Sequence, residues 1–400
     1  MSNLVTCDIF CNVIDNYGDI GVCWRLARQL ANEHGIAVRL WVDDLGSLAK
    51  LCPEAVAELD SQLCRGVEVR QWAVPFPEVE SADLVIEAFA CKLPERYVAA
   101  MAAQKHKPVW INLEYLSAED WVEGCHKLPS PHPSLPLVKY FFFPGFTSQT
   151  GGLLLEHDLL ARRDAFQRDP QAVAAWWQEL GMSPPKPEIT CVSLFSYESP
   201  ALPELLGTWA AGSAPIFCLV PEGRALPQVA TFFGAQQGRA GNVWQSGNLQ
   251  VCVLPFVEQE RYDELLWVCD INFVRGEDSC VRAQWAGKPF IWHIYPQHDN
   301  VHMQKLRAFM ALYCAGLPPD ATHALHALWE GWNVGQGAGQ AALPFDTSGG
   351  SGQAWNDFWI HESILRQQAR AWAQKLSGNN LVLNLLDFFR SIDRMRGFKI

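Results

Sequence analysis

Apolar residues along this chain fall into two alternating textures: short continuous runs, and stretches with three- and four-residue spacing. Val5 to Phe10 is the first run, followed by a loop with Gly18. Ile20, Cys23, Trp24, Ala27 and Leu30 then recur on one helix face, ending near Gly35. Ala37 to Val42 reads as a second strand stopping at Asp43-Asp44, and Val67 to Trp72, Leu84 to Glu87 and Val109 to Leu113 continue the series. Leu153 to Met182 is amphipathic and charged and leads into Ser183-Pro184-Pro185-Lys186-Pro187, where a helix cannot continue. The alternation then restarts. Ile189 to Phe195, Pro215 to Val220, Leu249 to Leu254, Ile271 to Val274 and Pro289 to Trp292 are strand candidates, with helical patterns at Arg261 to Val268 and Cys280 to Ala286. Gly335 to Gly352 reads as a glycine-rich surface loop, and His361 to Ile400 as two helices.

Buried strands alternating with helices predict parallel sheets covered on both faces. The pattern occurs twice, so the fold class is α/β with two Rossmann-like domains, in keeping with a length of 400 residues. Ligands of such sheets bind beyond the carboxyl ends of the strands, which places the site in the cleft between the domains.

Composition narrows the chemistry. A net charge of −12 with no run of Lys or Arg argues against a nucleic-acid partner. No apolar stretch approaches the ~20 residues that a membrane span needs, and Met1 to Phe10 lacks the pattern of a secretory signal. The 13 cysteines are scattered without a C-x-x-C pair, which reads as buried thiols in a reducing cytoplasm. His298 and His302 stand one helical turn apart but lack a third ligand, so no metal site is expected.

Four segments carry candidate chemistry. Arg275-Gly276-Glu277-Asp278-Ser279 lies between a buried strand and a helix start, where free amides and the helix dipole favour an anion, typically phosphate. Arg275 adds a charge-assisted bond to a diphosphate, and Glu277 suits hydroxyls of a sugar or ribose. Capping by Asp278 or Ser279 would account for one of these residues but not for Arg275 and Glu277 around a glycine. The second segment, Asn12 to Gly21, sets Asp15 and Asp19 after the first strand, where either serves as general base; Asp19 is equally placed to cap the helix. The third, Leu194 to Glu198, offers Phe195 and Tyr197 to a base or sugar, although core packing is the better account of Phe195 taken alone. In the fourth, Trp292 to Gln297, Tyr295 is the better ligand candidate and His293 reads as structural.

The chain resembles the EarP family, the protein-arginine rhamnosyltransferases of bacterial translation elongation factor P. The resemblance lies in IDNYGDIGVCWRLARQL near the start, NLEYLSAEDWVE at Asn112 to Glu123, FFFPGFTSQTGGLLLE at Phe141 to Glu156 and SLFSYE at Ser193 to Glu198. It extends through LPFVEQERYDELLWVCDINFVRGEDSCVRAQWAGKPFIWHIYPQ at Leu254 to Gln297. It implies a GT-B glycosyltransferase fold: an acceptor-binding domain over 1–152 completed by a C-terminal helix at about 362–400, a linker over 153–187, and a nucleotide-sugar domain over 188–361.

It further implies transfer of L-rhamnose from dTDP-β-L-rhamnose to an arginine of elongation factor P, inverting the anomeric centre and supporting translation through polyproline stretches. By motif, the donor-binding residues correspond to Phe195, Tyr197, Phe256, Gln259, Arg275, Glu277, Asp278, Ser279 and Tyr295, and the essential aspartates to Asp15 and Asp19. No cofactor or divalent metal is expected. Two other readings share the scaffold: a GT-B enzyme with a small-molecule or lipid acceptor, and a non-catalytic partner-binding protein.

Overall fold

The computed structural model of the chain describes residues 5–14, 17–297, 301–334 and 350–397. It divides into two compact units, Met1–His157 with Leu376–Ile400, and Asp158–Lys375.

The first unit holds an eight-stranded sheet. Its strands are β1 (Thr6–Cys11), β2 (Ala37–Val42), β3 (Ser61–Cys64), β4 (Val67–Gln71), β5 (Leu84–Ala88), β6 (Val109–Leu113), β7 (Pro129–Pro131) and β8 (Val138–Phe142). Their spatial order is β3-β4-β2-β1-β5-β6-β8-β7. The six inner strands pair in parallel, while β3 and β7 are antiparallel edges. This is the doubly wound arrangement. Strands are added to one side of β1 and then, from β5, to the other, so β1 and β5 flank the point where the order reverses.

One charged residue in this apolar core is Asp8 on β1, which is fully buried. Its carboxylate accepts two bonds from Arg39 at 2.6 Å and others from Trp41 Nε1 and the Tyr97 hydroxyl. Phe10, Trp41, Phe76 and Tyr97 pack beside it. The helix Gly18–His34 follows β1 and ends at Gly35, whose φ of 64° is one that glycine adopts without steric cost.

The second unit repeats the plan with β9 (Thr190–Leu194), β10 (Ile216–Pro221), β11 (Val243–Ser246), β12 (Leu249–Leu254), β13 (Ile271–Arg275) and β14 (Phe290–His293). The order β11-β12-β10-β9-β13-β14 puts the reversal between β9 and β13. Phe273 at the sheet centre packs against Trp209, Trp332 and Trp355, a core use for four of the chain's many large aromatics.

The strands expected from the hydropathy pattern lie within a residue or so of their positions. Those the hydropathy pattern missed are β3, β7, β8 and β11, and they share a cause. Three are antiparallel edges with mixed exposure, and only Phe142 of β8 is buried, so none presents a continuous apolar run. The linker expected over 153–187 is different as well. Helices Leu159–Arg168 and Pro170–Glu179 belong to the second unit, held by Arg163 Nη1 on the Trp285 carbonyl at 2.6 Å and Gln167 on the Trp267 carbonyl. Of the expected glycine-rich loop, residues 335–349 lie outside the described residues, and Gly350–Ile360 is a helix. The last helix, Leu381–Gly397, lies in the first unit, where Asn380 and Asn384 donate to the Leu155 and Gly151 carbonyls.

Candidate functional site

The reversal point of the second sheet is where the third and first candidate segments meet. Phe195 and Tyr197 follow β9, and Arg275 ends β13, the neighbouring strand. The Arg275 guanidinium carbon lies 4.7 Å from the ring centroid of Phe195 and 4.7 Å from that of Tyr197. Tyr295 packs edge-on against Tyr197 at 5.7 Å, bringing the segment after β14 into the same cluster. The two rings expected to wall a base or sugar therefore also hold an arginine. A guanidinium stacked on aromatic faces presents its N–H groups in one plane, a geometry that matches a phosphate.

The turn after Arg275 is built from its own residues. Gly276 has φ 63°, its N–H donates to the His293 carbonyl at 3.3 Å, and its carbonyl accepts from Trp292 Nε1 at 2.7 Å. The helix Asp278–Ala286 follows with Glu277 at the N-cap position, and no side chain caps it. The capping roles considered for Asp278 and Ser279 are thus not adopted. The Ser279 hydroxyl instead accepts from the Arg275 N–H at 3.0 Å and donates to the Arg275 carbonyl, closing the strand-to-helix turn on itself. Asp278 accepts from Gln259 at 3.3 Å, which joins this helix start to that of the helix Gln259–Val268. A buried ion pair, Arg282 to both oxygens of Asp263 at 2.8 and 2.6 Å, ties the same two helices one turn further in. Phe256 lies half-buried between β12 and that helix.

His293 is buried against Tyr197 and Trp332, with ring centroids 5.2 and 5.9 Å away. Burial, then Arg275 and His302, push its pKa down to about 3. It is a neutral imidazole throughout the physiological range and adds no charge beside Arg275. This agrees with its reading as a structural residue.

In the first unit, Asp19 sits in the first turn of the helix after β1 and is 3% exposed. The N-cap position belongs to Tyr17, so Asp19 does not cap the helix. One of its oxygens accepts the Ile14 N–H at 2.9 Å, folding the loop back over the carboxylate. Asp43, which the hydropathy pattern marked only as the end of a strand, holds the other side of this loop through the Val13 N–H at 2.8 Å and the Asn12 amide. Across the reversal point, the segment after β5 has positive φ at Phe89, Ala90 and Lys92, strain of the kind that collects at functional sites. Its residues carried no signal in the sequence, because left-handed non-glycine backbone has no compositional mark. Asp15 lies outside the described residues.

Among the described residues, no group of three or more His, Cys, Asp or Glu side chains is disposed to hold a metal ion. His302 is engaged through Nδ1 with the Gln297 N–H at 3.1 Å, and His298 lies outside the described residues. All 13 cysteines are free thiols, and all but Cys91 and Cys125 are buried, which leaves no disulfide frame. No described helix is long and apolar enough to cross a membrane.

Residues 7–390 match the family described as "Elongation-Factor P (EF-P) rhamnosyltransferase EarP". A protein-arginine rhamnosyltransferase of Pseudomonas putida is 51% identical over 387 residues, 96% of this chain and 99% of the relative. A solved structure described as the structural basis for EarP-mediated arginine glycosylation of translation elongation factor EF-P superposes with a TM-score of 0.67 at 39% identity, covering 96% of this chain and 99% of that one. A plant UDP-glucosyltransferase from Polygonum tinctorium, only 10% identical, still reaches 0.52 over 98% of this chain and 99% of its own, which speaks to the fold alone. The two sheets are the Rossmann-like units of a GT-B glycosyltransferase.

Proposed function

The chain belongs to the EarP family of elongation-factor-P rhamnosyltransferases, and from that premise we propose that it moves L-rhamnose from dTDP-β-L-rhamnose to an arginine side chain of EF-P, inverting the anomeric carbon. It is a glycosyltransferase by family and by fold. The observation that carries the donor reading is the placement of Arg275 at the reversal point of the second sheet, held by two aromatic rings beside a helix start that no side chain caps.

The chemistry follows from the charges. Arginine is a weak nucleophile because its guanidinium keeps its proton in water, with a pKa above about 12. On this reading the Asp19 carboxylate takes a guanidinium proton as that nitrogen attacks C1 of the sugar. Asp15 orients the guanidinium or supports Asp19. As the C1–O bond breaks, its electrons pass to the departing dTDP. Arg275 and the amides near Asp278 and Ser279 stabilise that growing charge, the role a divalent cation plays in other transferases. One displacement at C1 inverts it, so the β-linked donor gives an α-linked product. Glu277 and Gln259 serve sugar or ribose hydroxyls. Phe195, Tyr197, Phe256 and Tyr295 supply apolar walls for the base and sugar. The modified factor would support synthesis of polyproline stretches in the cytoplasm.

This reading is tested by following dTDP release from dTDP-rhamnose in excess chelator, with and without unmodified EF-P. Rapid release that requires EF-P and is indifferent to chelator is expected. A strict magnesium requirement, or release equally fast with small-molecule acceptors, would overturn it.

A further inference from the structure

Beyond Arg275, the neighbourhood of Tyr197 contains a second guanidinium. Arg224 lies in the loop after β10, the strand beside β9, and its guanidinium carbon is 6.0 Å from the Tyr197 ring centroid. Two hydrogen bonds at the neighbouring Glu222 set its backbone position. The Glu222 N–H donates to the Leu254 carbonyl at 2.9 Å. A Glu222 carboxylate oxygen accepts the Ala240 N–H at 2.9 Å. Beside Gly223, the space a Cβ would occupy lies 3.5 Å from the Phe195 ring. The loop therefore rests on one ring of the Arg275 pair, and its arginine reaches the other.

The arginine side chain itself is exposed, and among the described residues it makes no ion pair or hydrogen bond. Glu222, the nearest carboxylate along the chain, is engaged with the Ala240 amide. A cation–π contact at an exposed site contributes only about 0.5–1 kcal/mol, so it holds the guanidinium near the ring without consuming its donors. Here, then, is an uncommitted cation at the carboxyl edge of the sheet, where doubly wound folds bind their ligands.

We infer that Arg224 is a second phosphate-binding residue of the donor site, folding over the nucleoside diphosphate once it is bound. The inference rests on the donor reading proposed above and adds to it a named contact. A sugar nucleotide gains negative charge on its diphosphate as the glycosidic bond breaks. Arg275 is buried at the base of the site, whereas Arg224 stands on an exposed loop. The exposed cation is the one placed to meet the diphosphate from the solvent side.

Calorimetric titration of the full chain with thymidine, dTMP and dTDP tests this. Arg224→Gln is expected to weaken dTDP at least fivefold, dTMP less, and thymidine not at all, while Arg224→Lys recovers part of the loss. An equal loss for thymidine and dTDP would overturn the inference, because a merely structural change does not count phosphates. So would unchanged dTDP binding. Arg275→Ala, measured alongside, separates the two levels. If it loses dTDP while Arg224→Gln does not, only the present inference falls. If the unaltered chain does not bind dTDP, the donor reading falls with it.

Discussion

Two aromatic rings 4.7 Å from one guanidinium confine it to a plane in a way that a single carboxylate partner would not. In the proposed donor site this confinement would lower the entropy lost as Arg275 meets a diphosphate, and lysine cannot reproduce it because an ammonium has neither the plane nor the fork. Asp19 is held differently: one of its oxygens accepts a backbone N–H of its own loop. The two residues should therefore fail in different ways. Arg275→Lys is expected to weaken dTDP about tenfold or more, the loss of planar stacking on two rings together with a bidentate bond. Asp19→Asn is expected to leave dTDP affinity nearly unchanged and lower turnover about 10²–10⁴-fold, the usual worth of a general base. Calorimetry paired with steady-state kinetics separates them; near-normal turnover in Asp19→Asn would remove it from the base role. Arg275 was legible in the sequence because a charged residue at the end of an apolar strand is conspicuous. Its grip by Phe195 and Tyr197 was not, since the two segments are some eighty residues apart and meet only through strand pairing.

At the scale of elements, the proposed donor site depends on how two helices are held. Gln259 and Asp278 touch at their starts, and Asp263 with Arg282 lock them further in, both side chains almost wholly buried. Burying two charges costs desolvation that their attraction roughly offsets, so an apolar pair of similar size serves stability equally well. Removing one partner leaves the other charge buried. Asp263→Ala is thus expected to cost about 3–5 kcal/mol in urea unfolding, whereas Asp263→Leu combined with Arg282→Met should be near neutral. Equal losses in both would show that the pair stabilises more than its desolvation costs. The helices themselves were readable from three- and four-residue apolar spacing. The ion pair was not, because Asp and Arg nineteen positions apart in sequence look like ordinary surface residues until the helices pack. Edge strands were missed for a related reason. A strand paired on one side alternates or mixes its exposure, and hydropathy records burial on both faces far better than hydrogen bonding.

Over the whole molecule, both sheets reverse their strand order beside the first strand of their unit, and both candidate sites lie at those reversals. Asp19 follows β1 and Arg275 follows β13. Strand order is not written in any local segment, so sequence reading could place these residues at strand ends but not at switch points. Rhamnose and an arginine acceptor lie beyond what either fold or local chemistry dictates and come from family membership; the thymidine nucleotide belongs to the proposal. The account therefore stands or falls on the product. Intact and fragment mass spectrometry of EF-P, after incubation with this enzyme and dTDP-rhamnose, should show the mass of one deoxyhexose added on a single arginine. Unmodified EF-P, or the sugar on any other kind of residue, would contradict it.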